Sequence, residues 1–592
     1  MSTTAVGTTI ADLVFRLQDE HAERRAVRYQ AEPGEWRDLS YAELTDHAIE
    51  FGLGLLALGI EHGDRIAVLG STRPLWSIAH LGISATGAVH VSVYPTNSPD
   101  ECAWVVGNSE SRAIVCENAE QVAKIDAVRD QLPDLEWIVV LDGVAEGAIT
   151  LDELRERGRG RDAAELRARA EAVVPEDAYV FMYTSGTTGP PKGCVLSHGN
   201  YCWILGASST LAPLDRESVL YLFLPLAHAF ALLFQLMAFD RGGTIAYWGG
   251  DPTKIIPELM QVQPTHLPSV PRIFEKLYTL AVGSKPAEER EKITAAAQLG
   301  VRVRELQQRG EPVPPELQEP FDRAEAELFQ NVRNLFGGRL ERAITGAAPI
   351  AKEILEFFYG CGIPVMEGYG MTETSTGASI NTPEDHRFGT VGKPLPGVDA
   401  RIAEDGELLL RGGNIFQGYY KMEDASFGAV RDGWLHTGDL AEIDDEGYVS
   451  IIGRKKDIII TAGGKNLTPA NFENDLKSSP LVSQAVMHGD RRPYPVALIT
   501  LDPETVVPWA EAQGLPTEIP ELARHPQVIA AIQAEVDRAN AKLARVEQVK
   551  RFVIADRDLS QETGELTPTM KVKRNIVNER FAERFDALYA EA

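Results

Sequence analysis

Short, wholly apolar runs that recur between helical stretches constrain this chain more than any other feature. "DRIAVLG", "AVHVSVY", "RAIVCEN", "EWIVVLD" and "AYVFMYT" follow one another through the first 184 residues. Strands that are apolar on both faces and alternate with helices predict parallel sheets covered by helices on either side. Between them, "LSYAELTDHAIEFGLGLLALG" carries helical apolar spacing, with Ser40 as N-cap and Glu43 three residues on. A second helix is predicted around 74–87. At 592 residues the chain exceeds what one core can organise, so two or more domains are expected.

Further along, the pattern changes three times. Residues 218–239, "SVLYLFLPLAHAFALLFQLMAF", contain no Asp, Glu, Lys or Arg and match the length of a membrane span, about 20 residues. Pro225, His228 and Gln235 interrupt the run. A buried strand (219–224), a turn (225–228) and a buried helix (229–239) are therefore predicted. Residues 283–334 are rich in Ala, Glu and Arg and broken by "GEPVPP", which predicts two solvated surface helices inserted into the core domain. From about 386 to 453, short β runs between Gly turns predict a small barrel or meander. Strands and helices then alternate in a shorter module: "DIIIT", "PANFENDLKSS", "VSQAVMHGD", "PVALITLD", a helix over 525–545 and a final strand–loop–helix. The boundary is placed at "GRKKD", giving domains 1–453 and 454–592.

A formal charge of −28 argues against a protein that grips nucleic acid or an anionic surface as its main task. The five cysteines form no CxxC pair and no metal-type spacing with His. Such a sparse set fits a reducing cytosol. The N-terminus lacks the basic and apolar regions of a secretory signal.

The chemistry starts at "YTSGTTGPPKG", residues 183–193. These 11 residues hold three Gly, two Pro, four Ser/Thr and one Lys at the end of an apolar strand. Glycines let backbone N–H groups approach an anion, hydroxyls add donors and Lys192 adds charge, so phosphate is the expected ligand. The Walker A pattern does not fit, because Gly193 follows Lys192.

This loop resembles the signature loop of the adenylate-forming superfamily, which includes acyl-CoA synthetases, luciferases and peptide-synthetase adenylation domains. "LPLAHAF" (224–230), "TGAAPI" (345–350), "GYGMTET" (368–374), "TGD" (437–439), "GRKKD" (453–457) and "TPTMKVKR" (567–574) resemble its successive motifs, in order, over almost the whole chain. The resemblance implies an α/β fold. Its large N-terminal domain would hold two helix-covered β-sheets and a small distorted β-barrel, followed by a small mobile α+β C-terminal domain. It also implies a two-step reaction: a carboxylate attacks the α-phosphate of ATP, and a thiol then displaces AMP.

By the same resemblance Thr184, Ser185, Gly186, Thr187, Thr188, Gly189 and Lys192 would hold the β- and γ-phosphates. Glu373, with Thr184 nearby, would bind Mg²⁺. Tyr369 would stack on adenine, beside Gly368; Thr372 would face the phosphates, and Gly346 and Ala347 would form another wall. Asp439 would accept both ribose hydroxyls, reinforced by Arg454. Lys571 would be the catalytic lysine, contacting the acyl carboxylate and the α-phosphate. Met570 stands where many members have Gly. Lys456 aligns with the hinge, and Gly464 would line the coenzyme A tunnel. Read without the motif context, Glu373 is a capping carboxylate and Lys571 part of a solvated basic patch.

His228 and Phe230 match the gate beside the acid's carboxylate. The long insertion, "VPRIFEKLY", "GRKKDIIITAGGKNLTP" and "LTPTMKVKR" look most like bacterial long-chain fatty acid–CoA ligases. Two alternatives stay open: a fatty acyl-AMP ligase that loads a carrier protein, and a CoA ligase for another hydrophobic acid. The implied small molecules are ATP, Mg²⁺, fatty acid and coenzyme A. No nucleic acid partner and no transmembrane segment are expected. A cytoplasmic location is expected, with peripheral contact at the inner membrane face and a homodimer left open.

Overall fold

The computed structural model describes residues 7–184, 190–283, 285–567 and 570–590. Two large sheets carry the fold. In the eight-stranded sheet, six strands run parallel from Ala178–Thr184 through Val89–Val93, Arg65–Leu69, Ala113–Cys116 and Trp137–Val140 to Ile149–Thr150. Lys192–Ser197 turns back antiparallel on Ala178–Thr184, and Gly418–Tyr419 pairs with it in turn. In the nine-stranded sheet, Arg25–Glu32, Thr244–Tyr247, Val219–Leu222, His266–Ser269, Arg342–Thr345 and Val365–Tyr369 are parallel. Apart from Arg25–Glu32 and Ile149–Thr150, most residues of these strands are buried, because both faces of the sheets are covered there.

The helix Pro74–Ala85, "PLWSIAHLGISA", has no charged residue, and all but one of its side chains are buried. A helix apolar on every side can only sit inside a core. The helix Tyr41–Ala57 begins with the predicted box: Ser40 Oγ accepts from Glu43 N, and Glu43 Oε2 accepts from Ser40 N at 2.8 Å. The stretch without charges divides as predicted into a strand, Val219–Leu222, and a helix, Ala229–Asp240. The carbonyl oxygen of fully buried Gln235 accepts from the hydroxyls of Ser77 and Tyr247. Among the described residues no helix is long and apolar enough to cross a membrane.

The inserted helices Ala287–Gln308 and Pro315–Ala324 are largely exposed, and each buries a narrow stripe. Ile293, Ala297 and Val303 of the first, Phe321 of the second and Phe329 of the turn Glu325–Phe329 enter the main core. A Cβ on Gly300 would lie 2.3 Å from the Gly360 carbonyl, so this helix meets the helix Lys352–Gly360 backbone to backbone. The Gly–Gly contact joins residues 60 positions apart, which periodicity cannot reveal.

The β runs after residue 386 form a five-stranded antiparallel sheet built on Glu407–Arg411, Trp434–Ile443 and Val449–Arg454. From Ile459 onward the buried residues belong to separate clusters around Phe472, Leu498 and Phe585. There the strands Val482–His488, Val496–Leu501 and Phe552–Ile554 form a small sheet against helices such as Pro526–Asn540.

Candidate active site

Parallel strands end where their next connections begin, and ligands of such sheets gather at those C-terminal ends. Here the ends of both sheets open into one cleft of about 2190 Å³. Thr184, His228, Gly346, Ala347, Gly368, Tyr369, Thr372 and Glu373 all line it from such ends or the turns after them. Lys192 and Arg454 enter from antiparallel strands, as does Asp439, and Lys571 enters from the C-terminal region.

Thr184 and Lys192 face each other in antiparallel register. Ser185, Gly186, Thr187, Thr188 and Gly189 lie outside the described residues. The Lys192 ammonium sits 4.7 Å from the centre of the Tyr419 ring, an attraction of about 0.5–2 kcal/mol. The Tyr419 hydroxyl donates to Glu373 Oε1 at 2.7 Å. Burial and the Glu373 carboxylate push the Tyr419 hydroxyl pKa up, so it stays a donor. One tyrosine therefore fixes both the cation and the carboxylate. Sequence reasoning read "GNIFQGYY" only as a β run and missed it; the aromatic pair after a Gly turn was the available signal.

On the opposite wall, Asp439 is 3% exposed and holds two partners. The Tyr369 hydroxyl donates to Oδ2 at 2.6 Å, and Arg454 Nε lies 3.1 Å from Oδ1. Asp439 and Arg454 are direct cross-strand neighbours in the antiparallel sheet, which explains why the two motifs meet. A carboxylate has about four acceptor positions, so two remain for a ligand. The Tyr369 ring is held in place by the same bond. Behind it, a Cβ on Gly370 would lie 1.8 Å from the Thr376 carbonyl oxygen, so only glycine fits. Thr376 has φ 101° and Ala347 φ 68°, conformations that cost non-glycine residues about 1–3 kcal/mol and often mark working sites.

His228 caps the helix Ala229–Asp240, its Nδ1 accepting from Phe230 N at 3.2 Å. Burial and the nearby Lys571 cation hold its pKa at about 4, so the ring is neutral near pH 7. With Nδ1 as acceptor, the proton resides on Nε2. Lys571 sits on a tight hairpin: Thr567 N donates to Lys571 O at 2.8 Å, and Lys571 N donates to Thr567 Oγ1 at 3.0 Å. Atoms crowding its ammonium, together with Arg454, lower its pKa to about 8 against the pull of Asp439 and Glu373. The side chain as a whole still meets water, so this lowering reflects a narrow, charged cleft rather than full burial. Met570 has φ 61°, the left-handed region that a glycine would occupy without strain.

Among the described residues four ion pairs join the C-terminal region to the rest of the chain: Arg272–Asp502, Lys276–Glu504 at 2.6 Å, Lys542–Glu353 at 3.7 Å and Lys573–Glu101 at 3.8 Å. Lys456 lies at the cleft on the turn Lys455–Asp457. Gly464 does not line it; it sits on the turn between Ile459–Ile460 and Asn466–Leu467 with φ 73°.

The AMP-binding enzyme family matches residues 15–420, and the AMP-binding enzyme C-terminal domain matches residues 456–592. A Mycobacterium tuberculosis protein named long-chain-fatty-acid–CoA ligase FadD15 is 39% identical over 94% of this chain and 93% of its own. The Xenopus laevis long-chain-fatty-acid–CoA ligase ACSBG2 is 32% identical over 94% of this chain and 80% of its own. The adenylation domain of a Mycobacterium chelonae carboxylate reductase superimposes with a TM-score of 0.77 at 22% identity, covering 99% and 92% of the two chains. The anthranilate CoA ligase AuaEII, solved with anthranoyl-AMP, gives 0.73 at 19% identity over both full lengths. Taken with the order of the motifs along one cleft, these matches show that the chain belongs to the AMP-binding enzyme family.

Proposed function

We propose that this protein activates a long-chain fatty acid with ATP, releasing pyrophosphate, and transfers the acyl group from acyl-AMP to coenzyme A, releasing AMP. The observation that carries the fatty-acid part is one face of the helix Ala229–Asp240. Phe230, Leu233, Phe234 and Met237 line the same cleft as the nucleotide candidates, at helical i, i+3, i+4, i+7 spacing. The stripe runs about 10 Å along the helix. An alkyl chain laid on it gains about 0.8 kcal/mol for each CH₂ removed from water. The names of the relatives support the same acid class.

In this reading Lys192 and the loop before it hold the β- and γ-phosphates, with Thr372 on the phosphate side. Tyr369 packs on adenine between Gly346, Ala347 and Gly368. Asp439 and Arg454 hold the ribose. The Lys571 ammonium lies between the two reacting anions, offsetting their repulsion where it is greatest. Neutral His228 offers its Nε2 proton beside the acid's carboxylate.

Glu373 and Thr184 fit a hard cation such as Mg²⁺. They offer a carboxylate and a hydroxyl, and Tyr419 uses only one of the carboxylate's acceptor positions. Among the described residues no group of three or more His, Cys, Asp or Glu is placed to hold a metal. Glu373 and Thr184 would hold the ion, and when bound it would neutralise phosphate charge.

For the second step we divide the chain into 1–453 and 454–592, with Lys456 as hinge. Rotation there withdraws Lys571 and brings the loop around Gly464 toward the acyl-AMP. All five cysteines carry free thiols, which supports a reducing, cytoplasmic setting.

A chain-length series of acids, with AMP and pyrophosphate release measured together, tests the proposal. Long chains should give the highest kcat/KM. Best turnover on acetate or an aryl acid overturns the acid class, and acyl transfer to a carrier protein but never to free coenzyme A overturns the acceptor.

A further inference from the structure

Glu565 is fully buried and does not line the cleft, yet it lies at the base of the hairpin that carries Lys571. Its carboxylate accepts from Arg557 at 2.6 and 2.8 Å, from Arg580 at 3.0 Å and from the Thr563 hydroxyl at 2.7 Å. Burial alone would raise its pKa. The bonds from Arg557, Thr563 and Arg580 prevail and hold it at about 2. Arg557 comes from the chain before the hairpin, and Arg580 from the helix Arg574–Arg580 after it. The Glu565 carbonyl accepts from Lys573 N at 2.7 Å, and Leu566 pairs antiparallel with Val572.

A two-stranded hairpin of this size is marginal in water by itself, and Met570 adds left-handed strain at its tip. A buried ion pair is also a poor source of net stability, because desolvation offsets its attraction. Its value lies in fixed geometry: one carboxylate bolts together the segments before and after Lys571. We propose that Glu565 is a positioning residue for Lys571, locking the hairpin so that the ammonium points into the cleft. This inference rests on Lys571 as the cation of acyl-AMP formation.

The test separates the two half-reactions in Glu565→Gln: acid-dependent exchange of pyrophosphate into ATP, and thiolysis of supplied acyl-AMP by coenzyme A. Exchange should fall roughly tenfold to hundredfold, the scale of a 1 Å misplacement, while thiolysis stays within about twofold. Glu565→Asp should recover part of the loss. In a Lys571→Ala background the same substitution should cost nothing more, because the group it positions is gone. Equal loss of both half-reactions, or further loss in that background, overturns the inference. If the buried substitution prevents folding, Arg580→Met replaces it; that side chain is 43% exposed, and absence of the split there also overturns the proposal. If Lys571→Ala retains exchange, the Lys571 reading and this inference fall together. If it loses exchange while Glu565→Gln is normal, only the inference falls.

Discussion

The clamp around Asp439 and the hairpin around Lys571 both bring charge into one cleft, but they are secured differently. Asp439 is buried, tied to Arg454 across its own sheet and to Tyr369 from the end of a strand in the nine-stranded sheet. All three belong to the part of the chain before residue 455. Lys571 stands on a hairpin whose core is separate, and that region reaches the rest of the molecule partly through surface ion pairs. Such pairs contribute about 0–1 kcal/mol each. The contrast teaches that the Asp439 wall is assembled within one part of the chain, whereas the lysine stands on a separate base that docks partly through ion pairs. A two-step reaction needs that combination if one cation must leave before the thiol arrives.

Removing the lysine gives the largest expected effect. Lys571→Ala should lower acyl-AMP formation by roughly 10²-fold or more while thiolysis of supplied acyl-AMP continues. Equal loss of both steps would break the contrast, because the lysine would then belong to the permanent wall. Asp439→Asn should act on the nucleotide instead. Losing a charged acceptor costs about 1.5–3 kcal/mol, so KM for ATP should rise roughly tenfold to hundredfold. Unchanged ATP and AMP affinity in calorimetry would refute the clamp.

The pH profile sharpens the lysine's side. In the proposed first step Lys571 would act as the ammonium, and its pKa is lowered to about 8. Protonated lysine is lost as pH rises through that value, so kcat/KM for acyl-AMP formation should fall about tenfold per pH unit above it. Lys571→Arg should remove this alkaline limb, whatever activity it retains. The smallest effect concerns Tyr419→Phe, which deletes the hydroxyl bond to Glu373 but keeps the ring under Lys192. A few-fold loss, with a higher Mg²⁺ requirement, is expected from a bond worth about 1 kcal/mol. No change in the Mg²⁺ dependence would detach Tyr419 from Glu373's role.

Much of this was legible in the sequence where the signal is local. The Ser40–Glu43 box, the strand–turn–helix within 218–239 and the strand ends bearing motifs depend on residues a few positions apart. Asp439 and Arg454 were legible as motifs, though their pairing needed the sheet register. Tyr419 was not legible, because its meaning depends on Glu373, 46 residues earlier in the chain. Glu565 was hidden for a related reason: in "ETGELTPT" it reads as one more surface acid until Arg557 and Arg580 close over it. The narrow core-facing stripe of the inserted helices was not legible because Gly300 meets Gly360 only in the folded molecule.

By itself the sequence determined the α/β alternation, the order of the motifs and the types of chemical group available, since these follow from period, spacing and side-chain chemistry. Tertiary structure alone decided which groups share a carboxylate, which cation is crowded and which carboxyl is sealed from water. Those properties depend on distances between residues far apart in the chain, and on burial that no single segment can create.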